Sequence, residues 1–300
     1  MSLCRYAVCL SLTLATSATQ VAVAAPITFN TALPVGKGEF INREQLVLTR
    51  SGDDPSGADR DVDVNALASV LGYGISGDLA IFGVLPIVDK ELQATVAGER
   101  ISRSSTGIGD LSVFARYTFV QQDARDHTFR IAAFGGVKAP TGDDDESDAL
   151  GRLPIPLQSG TGSWDGFGGV VATYQTLQFQ IDAQASYTAR SEANDFEGGD
   201  QARLDASFQY RLLPRTLGKG TPGFLYGVLE ANVIHSDKNR VFGSAEPNSG
   251  GTSVFVVPGL QYVTKRYILE GSLQLPVSQD LNGMALENDY VARVGFRWNF

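Results

Sequence analysis

The sequence predicts an all-β fold, a transmembrane antiparallel up-and-down β-barrel of twelve strands that follows a cleaved N-terminal signal peptide. Residues 289–300 carry the first indication. Tyr290, Ala292, Val294, Phe296, Trp298 and Phe300 are apolar or aromatic, and Val291, Arg293, Gly295, Arg297 and Asn299 between them are mostly polar or small. A period of two describes a strand with one wet and one dry face, as in a barrel wall between lipid and a polar lumen. The second indication is that this pattern recurs along the chain. The third is that the connections alternate between short and long, as in outer-membrane barrels and unlike soluble sandwiches.

The chain divides into a signal peptide at 1–24, a periplasmic lead-in at 25–38 and a barrel at 39–300. Arg5 supplies a positive start, 7–18 is mainly small and apolar, and Ala22-Val23-Ala24 fits a cleavage site, placing the cut before Ala25. An anchor helix is the competing reading, disfavoured by the segment's shortness and its Ser and Thr. Cys4 and Cys9 both fall in the signal, so the mature chain has neither a disulfide framework nor a thiolate metal site. Past residue 25 no apolar run approaches the ~20 residues of a spanning helix. The 33 glycines and 2 methionines suit short strands with tight corners. A formal charge of −9 without a Lys/Arg cluster argues against nucleic acid as a partner.

The strands are taken in chain order. Residues 40–50 place Phe40, Leu46 and Leu48 on one parity. An acidic loop at 51–61 leads to an Ala/Val/Leu strand at 62–73, a turn at 74–78 and the strand 79–88, whose Pro86 argues for a sheet rim. Residues 89–109 read as a polar loop. In 110–120, Leu111, Val113, Ala115, Tyr117 and Phe119 alternate with Asp110, Ser112, Arg116 and Thr118. The strand 129–138 turns Arg130 and Lys138 inward. The longest loop, 139–163, holds the acidic run 143–148 and an LPIPL segment. A glycine-rich strand, 164–174, then meets 177–188, where Leu177, Phe179, Ile181, Ala183, Ala185 and Tyr187 alternate with polar residues. Its partner, 201–212, alternates equally well. Further strands lie at 224–235, at 252–263 (parity obscured by Pro258), at 267–275 and at 289–300. A soluble secreted β-protein would not keep one face of strand after strand apolar to both ends with aromatics at the rims.

GKGEF at 36–40, REQ at 43–45, YGISGDLAIFGVLPIV at 73–88, GIGDLSVFARY at 107–117, KAPTG at 138–142 and SGTGSWDGFGG at 159–169 together resemble the family named for a meta-pathway (MetA-pathway) of phenol degradation. The resemblance implies a small outer-membrane barrel of transporter type in bacteria that take up organic compounds. It supplies no catalytic motif. The closing strand ending at Phe300 likewise resembles the assembly signal of outer-membrane barrels, implying the barrel-assembly machinery as a partner.

Inward parity assigns Arg116, Arg130, Lys138, Asp182, Arg203, Asp205, Arg211, Glu230, Glu270, Arg293 and Arg297 to the lumen, and with the inward Asp110 and Asp165 the signs nearly balance. Outward aromatics at strand ends assign Tyr117, Phe119, Trp164, Tyr174, Tyr187, Tyr210, Tyr267, Tyr290, Trp298 and Phe300 to membrane girdles. Twelve strands lie between filled eight-stranded barrels and open porins, so a narrow or plugged pore is expected, with 139–163 as a candidate constriction. His127 reads as a turn residue. His235 with Ser236 and Asp237 lacks the His-Gln-Ser-Asn signature of the outer-membrane phospholipase family, and the acidic run fails the spacing of a calcium loop. The expected function is a cofactor-free, metal-free, non-enzymatic channel for passive uptake of small aromatic or apolar solutes. It would sit among outer-membrane lipids and lipopolysaccharide of a Gram-negative bacterium. The alternatives are a structural or adhesion-type barrel with a closed lumen, and a barrel-embedded lipid hydrolase.

Overall fold

The computed structural model describes residues 24–216 and 223–300, so the expected signal peptide lies outside the described residues apart from Ala24. One sheet closes on itself. Its strands are β1 (Phe40–Ser51), β2 (Asp61–Gly74), β3 (Leu79–Val96), β4 (Glu99–Ile108), β5 (Ser112–Asp123), β6 (His127–Lys138), β7 (Asp165–Thr176), β8 (Phe179–Ala189), β9 (Gln201–Leu213), β10 (Phe224–Ser236), β11 (Gly251–Val263), β12 (Tyr267–Leu281) and β13 (Tyr290–Asn299). Each neighbouring pair is antiparallel. β1 and β13 close the ring in an unbroken register from Ile41 opposite Asn299 to Arg50 opposite Tyr290.

β4 and β5 are two lengths of one wall position, which makes the barrel twelve-stranded as expected. The lower part of β3 pairs with β5 and its upper part with β4. The reading of 89–109 as a loop is therefore corrected. β3 runs on to Val96 and returns through Ala97–Gly98 as β4. Both faces of this hairpin meet water or loops, so the alternation that betrays a lipid-facing strand is missing although the ladder forms. Pro86 lies at the level of the β4/β5 junction rather than at the rim. Its carbonyl accepts the Gly109 N–H at 2.8 Å, so the donor it lacks would point into the break in the ladder. Pro258 resolves similarly. It pairs with Leu229 of β10 at a point where the β11–β12 pairing is interrupted, between Val256 and Gly259.

The burial pattern inverts that of a soluble protein. Leu71, Val113, Leu204, Leu229, Leu260 and Val294 are exposed, whereas Gln180, Gln209, Gln261, Glu230 and Asn232 are among the most completely buried side chains. This is the distribution a lipid solvent selects, where the strands close into a ring and the ladder satisfies the backbone. One end carries tight turns at 75–78, 124–126, 177–178 and 264–266; the other carries the long loops.

The small apolar cores sit inside the barrel, against residues 24–38. Val35 packs on Ala80 and Phe82, Ala32 on Ala132, Phe134 and Val171, and Ala24 on Val263 and Ile268. The expectation of a periplasmic lead-in is thus corrected, because this segment runs through the lumen. Glycine makes room for it twice. A Cβ on Gly74 would stand 2.0 Å from the Gly36 carbonyl oxygen, and one on Gly259 would meet Ile27 Cδ1 at 2.8 Å. The reason for the crossing is polar. The inward carboxylates and amides of the wall need partners, and an irregular backbone with unpaired N–H and C=O groups supplies them.

Candidate functional site

The interior has two unlike walls with residues 25–36, the strap, between them. One wall is aromatic. Phe82 of β3 stacks on Phe114 of β5 with centroids 4.8 Å apart, and Phe114 meets Phe134 of β6 and Phe167 of β7 edge-on at 6.4 and 5.9 Å. All four rings stand on the inward parity. The inward guanidinium of Arg116 lies 4.9 Å above the Phe82 ring, a cation–π contact, while Nη2 donates to the Leu33 carbonyl at 2.7 Å. A cavity of about 420 Å³ adjoins this wall, bounded by the four rings, the strap, Arg116, Arg203 and Arg297.

The other wall is polar and grips the strap. Glu230 accepts the Ile27 N–H at 2.6 Å, the Thr28 N–H at 3.1 Å and the Thr28 hydroxyl at 2.5 Å. Thr173 Oγ1 accepts the Ala32 N–H at 2.9 Å, and Gln184 Oε1 accepts that of Asn30 at 3.2 Å. Asp182 accepts from Thr173, Thr31, Gln180 and Gln209. Gln261 donates to the Ala25 carbonyl at 2.7 Å and to Glu270 at 2.9 Å. Glu270 also pairs with Arg43 at 2.5 Å, and Arg43 donates to the Ile27 carbonyl at 2.8 Å. Charge-assisted bonds of this kind are the strong ones.

The remaining lumen candidates take separate places. Asp205 pairs with Arg203 at 3.0 Å and accepts from Asn232 at 2.8 Å. Arg293 donates to Gln274 at 2.6 Å. Arg130 pairs with Asp123 at the short-turn end, where Arg211 lies 5.7 Å from the centre of the Phe224 ring. Lys138 is held at the long-loop end between Asp165, at 2.7 Å, and Asp110, at 3.3 Å. Asp110 also accepts the N–H groups of Gly142 and Thr161. The motifs at 107–117, 138–142 and 159–169 therefore converge in one clasp. It folds the loop 139–163 over the inner face of β3 and β4, where Lys90 donates to the carbonyls of Pro156 and Gln158. Leu153 and Leu157 of that loop are themselves buried, and the loop does not line the cavity.

Of the girdle candidates, Tyr117, Phe119, Trp164, Tyr187, Tyr210, Tyr267, Tyr290, Trp298 and Phe300 are exposed and Tyr174 is half-buried. Near the short-turn end Tyr174, Phe179, Phe208 and Tyr210 succeed one another ring to ring. Phe300 stacks on Phe40 at 5.6 Å. His127 pairs with Asp126, and His235 meets Thr252 and Asp237 on the outer surface. Within the acidic run Asp144 accepts from Asn194, Glu146 accepts from Ser159 and Asp148 pairs with Arg103.

The four phenyl rings and the strap are absent from the sequence-derived set. Phe114 could have been found, since it shares parity with Arg116 two residues on and so stands on the wet face. No periodicity marks the strap.

Two solved structures share the architecture. An outer membrane channel from Pseudomonas putida F1 matches with 14% identity and a TM-score of 0.68, over 93% of this chain and 100% of that one. The beta domain of the Bordetella autotransporter BrkA matches with 12% identity and a TM-score of 0.51, over 88% and 100%. At such identities the likeness concerns the fold. No curated protein sequence matches significantly. The family model described as Putative MetA-pathway of phenol degradation matches residues 46–272. That match spans most of the barrel, from β1 into β12, and the chain belongs to this family.

Proposed function

We propose that the protein is an outer-membrane channel through which small apolar or aromatic organic solutes enter passively. The carrying observation is the cluster of Phe82, Phe114, Phe134 and Phe167 turned toward the lumen beside a cavity of about 420 Å³. Phenyl groups on a water-filled channel wall give up ~25 cal/mol for each Å² of apolar surface left wet. A wall that retains four of them favours a solute that covers them, and aromatic faces and edges do so with complementary quadrupoles. The inward Arg116, Arg203 and Arg297 border the same space and give a polar substituent a place to turn. The role is diffusive and not enzymatic. Lipids and lipopolysaccharide surround the apolar exterior, and the strand ending at Phe300 engages the assembly machinery.

Flux through proteoliposomes tests this reading. A single-ring neutral aromatic enters faster than a sugar of equal size, and the preference shrinks when Phe114 is replaced by alanine. Equal flux of the two solutes through the unaltered protein would refute it.

A further inference from the structure

We propose that residues 25–36 are a displaceable strap that closes the lumen in the present conformation and leaves its seat to open the channel. The inference rests on the channel reading above and adds the moving part. The strap crosses the barrel, touching β3 through Val35, β5 through Leu33, β7 through Ala32, β8 through Asn30, β10 through Ile27 and Thr28, and β11 through Ala25. It forms one long border of the cavity, so its departure merges that cavity with the volume it vacates.

Its attachment differs in kind from that of the strands. Every strand of the closed sheet is held by a backbone ladder, whereas the strap contributes no strand and its contacts with the wall run through wall side chains. Pro26 and Pro34 bring no N–H, which lowers the number of donors the wall must meet in the closed state. The sockets also have partners of their own once it leaves. Asp182 keeps Gln180 and Gln209, Glu270 keeps Arg43, and Gln261 keeps Glu270. A segment without ladder bonds belongs to the low-stability end of a structure, from which moving elements are drawn. It stays tethered at one end, because the Phe40 N–H donates to the Phe300 carbonyl at 2.7 Å and Phe300 returns the bond at 3.0 Å.

The test is a reversible lock in the full chain. Thr31 Oγ1 and Thr173 Oγ1 lie 3.1 Å apart, and residues 25–300 contain no cysteine, so Thr31→Cys with Thr173→Cys forms one unique disulfide between strap and wall. Single-channel recordings in planar bilayers are made on the oxidised protein and repeated on the same sample after reduction. Glu230→Gln serves as a second variant with a weakened seat. The expected result is openings suppressed by oxidation, restored by reduction, and more frequent in Glu230→Gln than in the unaltered protein. Equal conductance before and after reduction would overturn the strap while leaving the channel reading intact. Absence of current in every protein, reduced and unaltered alike, would overturn the channel reading and the strap with it.

Discussion

Glu230 and Ile27 are 203 positions apart in sequence, yet the Ile27 N–H donates to Glu230 Oε1 at 2.6 Å in the middle of the barrel. A buried carboxylate is thereby satisfied by the backbone of a segment that lacks secondary structure. The lumen is thus as much a binding site for its own chain as a passage.

Replacing Glu230 with glutamine weakens that hold. A hydrogen bond to a charged group contributes about 1.5–3 kcal/mol, and Glu230 accepts three from the strap. Hydrogen exchange measured by mass spectrometry will show faster exchange in peptides covering 25–34, with protection of β8 and β10 unchanged. Uniform loss of protection over the whole barrel would contradict a local role.

Phe114 touches all three other inward rings, so Phe114→Ala removes the centre of the aromatic wall. Aromatic pairs contribute about 0.5–1.5 kcal/mol beyond area burial, a factor of roughly two to ten in partitioning. The ratio of aromatic to sugar flux in proteoliposomes will fall by that order, while the melting behaviour of the barrel changes little. An unchanged ratio would place the solute path elsewhere.

Lys138 neutralises two buried carboxylates at once, and Lys138→Met strands both. Removing one partner of a buried ion pair costs about 3–5 kcal/mol. Urea unfolding in detergent will show a lower midpoint, partly recovered when Asp165→Asn is added. Because the clasp holds the loop 139–163, protease sensitivity of that loop will rise before the barrel unfolds.

Phe300 stacks on Phe40 and exchanges backbone bonds with it, outside the lumen. Phe300→Ala will lower the amount of folded protein in the outer membrane of living cells. Protein refolded in detergent will conduct as the unaltered chain does. Altered single-channel conductance would mean that Phe300 shapes the pore.

In the loop 52–60 Asp54 pairs with Arg60 at 2.6 Å and accepts the N–H groups of Ser56 and Arg60. The Arg60 guanidinium foremost, aided by those backbone donors, holds the carboxyl well below its usual range. A depressed carboxylate stabilises the folded loop above the unfolded pKa and loses that contribution as pH falls through the folded value. Exchange at the Ser56 and Arg60 amides, compared with Asp54→Asn, will therefore show extra protection above about pH 4, the ordinary range of an aspartate. The difference will vanish only in stronger acid.

The parts of the barrel legible in the sequence are those where the solvent differs across the wall. β8 and β9 alternate cleanly because Ile181 and Phe208 meet lipid while Asp182 and Ser207 meet the lumen. Where both sides are alike the signal fails. β3 above Asp89 and β4 have water or loops on either face, and their strands read as loop. The aromatic wall hid for the opposite reason, since Phe82 and Phe114 are apolar on a face assumed to be wet. The charged lumen residues were reachable from parity, but their engagement was not. Nothing in the spacing of Glu230 or Arg116 says that their partners are the backbone groups of Ile27 and Leu33.

The junction of β4 and β5 also works as a depth gauge. β4 pairs only with β3, leaving a free strand edge in the closed wall. Unpaired peptide groups are not tolerated in hydrocarbon, so the level of Pro86 and Gly109 marks the waterline on that flank. Side-chain chemistry turns over three residues higher, past the exposed pair Ile87 and Ile108, where Asp89 accepts from Thr106 at 2.7 Å and Asn65 stands beside it. The hairpin beyond stands above that level with Glu99 and Arg100 exposed beside its tip, charges of the kind that discourage a further strand from adding to a free edge.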